Sequence, residues 1–182
     1  NLGWRDHDNN PATPRVAIGV DRVPPNTKLI LNYLTTSVTQ RRQVSEILGQ
    51  SLTQCGIGLT TTYSPQLDFY AEGPNGPLFG RKFDLAEFAT STFTFLPPCE
   101  RFATAEIPNA SNHWLGTNVS GYKNPLYDSA CLSARSALPG EEPFLAGFRQ
   151  TQMIFSTDLP AIPLFNRIEI VAARADFCNI AI

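Results

Sequence analysis

The chain has 182 residues and a mass of 20.0 kDa, with 42% hydrophobic residues, 16% charged residues and a net charge of −2. The apolar content excludes a disordered or coiled-coil chain, and the lack of a basic surplus argues against nucleic-acid binding as a main role. The combination of 15 prolines, 12 glycines and few charges favours an extracytoplasmic protein with one compact domain.

The first part of the chain predicts an arm followed by a strand–helix–strand unit. Residues 1–27 are polar and rich in turn formers, and we interpret them as a linker to a domain that spans 28–182. Residues 28–34 form a short apolar run typical of a buried strand. Ser37 and Gln40 then offer a capping box for a helix, after which 57–63 alternate as a second strand. This order predicts a right-handed parallel crossover.

The remainder of the chain predicts one more strand, a long loop and a helix pair. Residues 83–89 alternate like a third strand, whereas 90–118 have no period, and such stretches usually carry function or wrap another element. Asn124 followed by Pro125 predicts the start of a helix, a second helix opens near Glu141, and 162–173 predict a last strand. The order indicates an α/β domain with a mixed sheet flanked by helices.

The four cysteines stand at spacings that fit no zinc-binding pattern. A catalytic Cys–His pair would need one of only two histidines, and buried free thiols are the usual state in cytosolic proteins. Disulfides agree best with the composition, and three pairings are possible. We favour Cys99–Cys131 and Cys55–Cys178. The first bond would connect the long loop to the helix that begins at Asn124, and the second would connect the end of the first helix to the chain just past the last strand.

No catalytic or metal-binding motif is recognisable. Residues 6–10 alternate like calcium-loop ligands, but Pro11 stands where the turn glycine belongs, so a polar turn is the better interpretation. Asp84 and Glu87 would point to opposite faces of a strand, which is unsuitable for paired acid–base chemistry. Asp158 is expected to cap or turn the end of a helix. We therefore predict no enzyme activity and no cofactor.

Aromatic and hydroxyl side chains concentrate in the long loop after the third predicted strand. Loops at strand ends in open α/β sheets are where ligands bind, although these aromatics would equally serve to cover the sheet edge. The ligand-binding prediction comprises Thr90, Thr92, Phe93, Phe95, Trp114 and Asn118.

Four stretches carry a resemblance to a known family: residues 40–59, 79–88, 118–138 and 148–174. In this order they resemble the C-terminal lobe of family 5 extracellular solute-binding proteins, which are the oligopeptide-, dipeptide- and nickel-binding components of bacterial ABC importers. The resemblance implies a type II periplasmic-binding-protein fold, in which two α/β lobes close on a ligand. Only one lobe would be present in this chain.

The resemblance also implies a function and a location. The chain would belong to the substrate-binding component of an importer, with a peptide or small-molecule ligand held between this lobe and a second one. The full-length protein would bind ABC permease subunits and would act outside the cytoplasm. It would be a lipoprotein, anchored through a region that lies beyond this sequence. The alternative is an orphan ligand-sensing module of the same fold that feeds a signalling partner, and neighbouring permease and ATPase genes would favour transport.

One departure from the family concerns ligand charge. Peptide-binding members of the family usually run Trp-x-x-Asp-Tyr-x-Asp-Pro after the third strand, and the first acid pairs with the peptide's α-ammonium group. Here Phe93 stands in place of that acid. An unpaired buried ammonium group costs several kcal/mol, so either the acid comes from elsewhere or the ligand is not an ordinary free-amine peptide.

Overall fold

A computed structural model describes residues 2–91 and 97–166. The expected α/β class is confirmed, with sheets flanked by helices. Within these ranges the chain forms β1 (Trp4–Arg5), β2 (Val16–Ala17), β3 (Ile30–Thr36), α1 (Thr39–Thr53), β4 (Gly58–Ser64), α2 (Gln66–Phe69), β5 (Leu85–Ala86), α3 (Pro125–Ser136) and α4 (Glu142–Asp158). None of the described helices is long and apolar enough to cross a membrane.

The main sheet has the strand order β4-β3-β5, and its three described strands are parallel. The predicted crossover from β3 through α1 to β4 is confirmed, with paired residues running from Ile30 opposite Gly58 to Thr36 opposite Ser64. The third predicted strand, 83–89, is shortened to the two residues of β5. Antiparallel pairing occurs between β1 and β2.

The two faces of the sheet have different chemistry because side chains alternate along a strand. Leu34 points to the face covered by the connection from β4 to β5 and packs with the buried Phe69, Leu78 and Val119, which together form the sheet core. Gly76 is required in this connection, since a Cβ there would lie 1.8 Å from the carbonyl oxygen of Ala71. The opposite face carries Leu31, Tyr33 and Thr35 of β3 and is covered by α1, whose Ser45 hydroxyl lies 2.7 Å from the Tyr63 hydroxyl.

A second core, the helix core, lies between α3 and α4. It comprises Cys99, Tyr127, Cys131, Ala134 and Phe148. The predicted start of α3 is confirmed: the Asn124 side chain accepts hydrogen bonds from the first-turn amides, and Pro125 occupies the first turn. Gly147 brings α4 close to α3, since a Cβ there would lie 2.7 Å from the Ala130 carbonyl oxygen.

The amino-terminal segment, residues 1–27, packs against the rest of the domain. Val16 and Ala17 of β2 are buried. The Arg15 amide donates to the Gly56 carbonyl at 2.8 Å, and the Leu29 amide donates to the Arg15 carbonyl at 2.7 Å. The division into an arm, 1–27, and a lobe, 28–182, stays a prediction.

Three local expectations differ from the structure. The Ser37–Gln40 capping box is wrong, because α1 begins at Thr39 with Val38 as a cap that makes no side-chain hydrogen bond. The long loop contains three 3₁₀ turns, at Cys99–Phe102, Thr104–Glu106 and Ala110–Asn112. Of the last predicted strand, residues 162–166 have no regular structure, and the rest lies outside the described residues.

Candidate ligand-binding site

The carboxyl ends of β3, β4 and β5 meet at one edge of the main sheet, which we call the carboxyl edge. The chain leaves β3 to form α1 on one face and leaves β4 to form the connection that covers the other face. The edge beside β3 is therefore a topological switch point, the place where open α/β sheets form a crevice for ligands.

Glu87 is the acidic residue of the carboxyl edge, directly after β5. Its carboxylate accepts a hydrogen bond from the Tyr33 hydroxyl at 2.8 Å. The Thr35 hydroxyl donates to the backbone carbonyl of Glu87 at 3.1 Å and lies 3.4 Å from the carboxylate. Tyr33 and Thr35 are buried, while Glu87 is half-buried. Burial and the hydrogen bond to Glu87 raise the pKa of Tyr33 well above its ordinary value of 10.0. Tyr33 and Thr35 thus hold Glu87 beside the face of the sheet that α1 covers.

The first turn of α1 brings two arginines to the same edge. Arg41 donates to the backbone carbonyl of Glu87 at 3.3 Å. The Arg42 guanidinium lies 4.2 Å from the centre of the Tyr63 ring and donates to the Ser37 carbonyl. This turn has no acidic residue, although acids favour that position of a helix. The carboxyl edge therefore combines fixed charges of both signs.

The structure describes three of the six predicted ligand residues, which are Thr90, Trp114 and Asn118. Thr90 is exposed just beyond β5, whereas Thr92, Phe93 and Phe95 lie outside the described residues. Trp114 is half-buried and packs on the main chain of the β4–β5 connection, since a Cβ at Gly73 would lie 2.3 Å from its ring.

Asn118 has a structural position. Its side chain is fully buried, and Nδ2 lies within 3.0 Å of the carbonyl oxygens of Phe102, Ala103 and Tyr122. Oδ1 accepts from the Ser120 hydroxyl and the Tyr122 amide. Because these contacts occupy the amide fully, Asn118 shapes the loop and presents no polar atom to a ligand.

A disulfide joins Cys99 and Cys131, the pairing favoured from the sequence, and both residues are buried. The Tyr127 hydroxyl donates to the Cys99 carbonyl at 2.9 Å, and burial raises the pKa of Tyr127 to about 12. Cys55 is exposed just beyond α1, and its predicted partner Cys178 lies outside the described residues, so that pairing stays a prediction.

A second concave region, an apolar cavity of about 370 Å³, lies beside this disulfide. It was not predicted, because its walls come from three separate segments. It is lined by Pro97, Pro98, Cys99, Phe102, Tyr127, Thr151, Gln152 and Phe155.

Two acidic residues that the sequence analysis set apart have clear structural contacts. Asp158, at the end of α4, accepts from the Tyr122 hydroxyl at 2.5 Å and from Asn124 Nδ2 at 2.8 Å. It thereby joins the end of α4 to the start of α3. Asp84 accepts from the amide and side chain of Asn32 at the other end of β5 from Glu87.

The sequence analysis missed Tyr33, Thr35 and Arg41 as parts of the site. The alternation of residues 30–36 does place Tyr33 and Thr35 on one face. Their contact with Glu87, more than 50 residues away, depends on the pairing of β3 with β5, for which the two residues of β5 give little signal.

No protein-family model and no curated protein matches the chain. Solved structures do. The oligopeptide-binding protein of Thermus thermophilus, complexed with a pentapeptide, aligns with a TM-score of 0.74 at 19% identity over 91% of this chain. AppA of Bacillus subtilis, in complex with a nonapeptide, gives 0.65 at 20% identity, and NikZ of Campylobacter jejuni, in complex with Ni(L-His), gives 0.61 at 16%, each over 87% of this chain.

The chain has the fold of part of a solute-binding protein. It spans 28% of the length of each of these three solved chains. The solute-binding-protein fold confirms the architecture that the resemblance implied.

Proposed function

We propose that the chain is one lobe of the substrate-binding component of a bacterial ABC importer, acting outside the cytoplasm and without catalysis. The ligand is a peptide or a related small solute, held between the carboxyl edge of this lobe and a second lobe. The full-length protein is anchored through a region beyond this sequence and delivers its ligand to permease subunits.

The observation that carries this proposal is a switch point bearing fixed polar groups in a solute-binding-protein fold. The neighbours in fold are described in complex with peptides or Ni(L-His). Thr90 follows β5 and precedes the predicted wall residues Thr92, Phe93 and Phe95 in the chain, and Trp114 packs on the connection from β4 to β5. Aromatic stacking and hydroxyl contacts from such a wall suit an uncharged or sugar-like ligand as well as a peptide.

Ligand binding by the full-length protein and by the 182-residue lobe tests the two-lobe arrangement. When both walls contribute contacts and closure selects the liganded state, the single lobe is expected to bind weakly or not at all. Calorimetric titration of both proteins with a random pentapeptide pool and with Ni(L-His) measures the difference. Equal affinities for the lobe and the full-length protein would contradict the proposal.

Phe93→Asp in the full-length protein tests the predicted wall. A new carboxylate at the ligand is expected to shift the preference among pool members toward cationic peptides, with little change in melting temperature. Leu132→Asp is the matched control, because Leu132 is 70% exposed on α3, outside the main sheet and its carboxyl edge. Mass spectrometry of the bound peptides gives the readout, and an unchanged profile counts against the wall assignment.

A further inference from the structure

Arg101 connects the segment that follows β5 to the framework of the helix core. Its Nη2 atom donates a hydrogen bond to the Ser91 carbonyl at 2.8 Å. Of the hydrogen bonds within the described chain, this is the one that reaches residues 88–91. Phe88 packs against the sheet core, so Thr90 lies between a residue held by packing and a residue held by Arg101.

The 3₁₀ turn that carries Arg101 is itself firmly anchored. The Cys99–Cys131 disulfide joins the turn to α3, and the Tyr127 hydroxyl donates to the Cys99 carbonyl at 2.9 Å. The buried Asn118 amide donates to the carbonyl of the last residue of the turn at 3.0 Å. A side chain on such a base holds its partner in a defined position, because its own backbone has little freedom.

The Arg101 guanidinium is poorly satisfied for a group that serves stability alone. Its Nε atom is shielded from water and has no hydrogen-bond partner among the described residues. The only ion pair within the described ranges joins Arg22 to Asp21, so no acid there neutralises Arg101. A shielded donor without an acceptor is unfavourable, and this offsets the gain from the bond to Ser91. Arg101 thus adds little to stability, while it still determines where the Ser91 carbonyl lies.

We propose that Arg101 is a positioning residue that holds Thr90, beside the carboxyl edge, in the position from which it contacts the ligand. This assignment rests on the proposed function. The exposed Thr90 hydroxyl both donates and accepts, which suits an uncharged polar group such as a peptide carbonyl or a sugar hydroxyl. Arg101 acts through the backbone of residues 90–91, because residues that are already ordered lose less conformational entropy on binding.

Arg101→Met in the full-length protein removes the hydrogen bond and the shielded Nε together, with a side chain of similar length. The random pentapeptide pool and Ni(L-His) are the probes, titrated by calorimetry. For each probe that the wild type binds, we expect the apparent Kd to rise about 3- to 10-fold, whereas Tm stays within about 2 °C. Arg101→Lys, which still offers a charged donor to the Ser91 carbonyl, should bring Kd back to within about twofold of wild type. Arg149→Met, at an exposed position on α4, is the matched control and should change neither quantity.

Thr90→Val separates positioning from a general effect on the fold. In the wild-type background it should raise Kd about 2- to 10-fold, because one hydrogen bond to the ligand is lost. In the Arg101→Met background the same substitution should change Kd by less than about twofold, because Thr90 is no longer held in position. Thr60→Val, at an exposed position of β4, is the matched control and should leave Kd unchanged in both backgrounds.

An Arg101→Met protein that binds the probe as the wild type does overturns the assignment. An unchanged Kd with a Tm lower by several degrees also overturns it, since that is the result of a purely structural role. If Kd and Tm both change, the comparison with Thr90→Val decides: effects of the two substitutions that multiply fully show that Arg101 does not act through Thr90. In these cases the proposed function stands, because the wild type still binds the probe. If the wild type binds neither probe, the proposed function is contradicted and the assignment falls with it.

Discussion

Replacing Asn118 with alanine tests whether one buried amide holds the two cores together. Asn118 precedes Val119 of the sheet core, and its amide contacts the backbone of Phe102, Ala103 and Tyr122 beside the helix core. The substitution removes these contacts without introducing a larger group. It should therefore report on the hydrogen bonds themselves.

The expected loss follows from counting the groups left unpaired. The Asn118 Nδ2 atom shares its two hydrogens among three carbonyl oxygens. The Oδ1 atom accepts a hydrogen bond from the backbone amide of Tyr122. Each buried polar group that loses its partner costs about 1–3 kcal/mol, and water entering the vacated space recovers part of this. We expect a loss of about 3–5 kcal/mol in the free energy of unfolding. For a chain of this size that corresponds to a fall of about 6–20 °C in Tm.

Urea unfolding followed by circular dichroism measures this difference. Asn75→Ala is the matched control: Asn75 is exposed and its side chain makes no hydrogen bond within the described residues, so its loss should stay below about 0.5 kcal/mol. Asn118→Asp should cost at least as much as the alanine variant, because it places a carboxylate among three carbonyl oxygens. An Asn118→Ala protein as stable as Asn75→Ala would refute the reasoning.

Three further predictions concern helix packing, the disulfide and pH. Gly147→Ala should lower the free energy of unfolding by about 1–3 kcal/mol, because the new Cβ would lie 2.7 Å from a carbonyl oxygen of α3. Gly49→Ala should raise it by about 0.5–1 kcal/mol, because no atom lies closer than 4.0 Å to the new Cβ. Urea midpoints of the two variants that shift in the same direction would contradict this. Cys131→Ser should lower the free energy of unfolding by about 3–4 kcal/mol, since the bond to Cys99 closes a loop of 32 residues, and reductant should then have little further effect on the urea midpoint. The hydrogen bonds that Asp158 accepts lower its pKa, so its contribution to stability is present above pH 3.8, the ordinary pKa of the group, and is lost as the pH falls through the lower pKa of the folded state. The difference in Tm between wild type and Asp158→Asn, measured from pH 7 to pH 2, should therefore close on acidification. A constant difference would argue against this role of Asp158.

Predictability from sequence was good where a signal is local. The start of α3 was predicted from Asn124 and Pro125, since a capping amide and an N-terminal proline act within one turn. The crossover from β3 to β4 was predicted from alternation and helical spacing. The capping box at Ser37 failed although its pattern is also local, because Val38 took the cap position and the Ser37 carbonyl accepts from Arg42.

The candidate site was less predictable, and the reason is distance along the chain. Asn118 was predicted as a ligand residue from its polarity and its loop, but polarity does not distinguish a solvent-facing amide from one that satisfies buried carbonyls. Glu87 was set aside as half of an acid pair, because a strand would point Asp84 and Glu87 to opposite faces of the sheet. Its contact with Tyr33 spans 54 residues and exists only once β5 pairs with β3.

From the sequence alone we predicted the class of the fold and the order of its main elements as far as α4, because periodicity, caps and composition act locally. For the cysteines the sequence limited the choice to three pairings, of which we favoured the one that includes Cys99–Cys131. Only the tertiary structure decided which polar groups lie at the carboxyl edge and which are buried in the framework. That decision depends on pairing and packing between residues far apart in the chain, where burial makes every unpaired polar group costly. Asn118 became part of the framework for this reason, and Glu87 became the acid of the carboxyl edge.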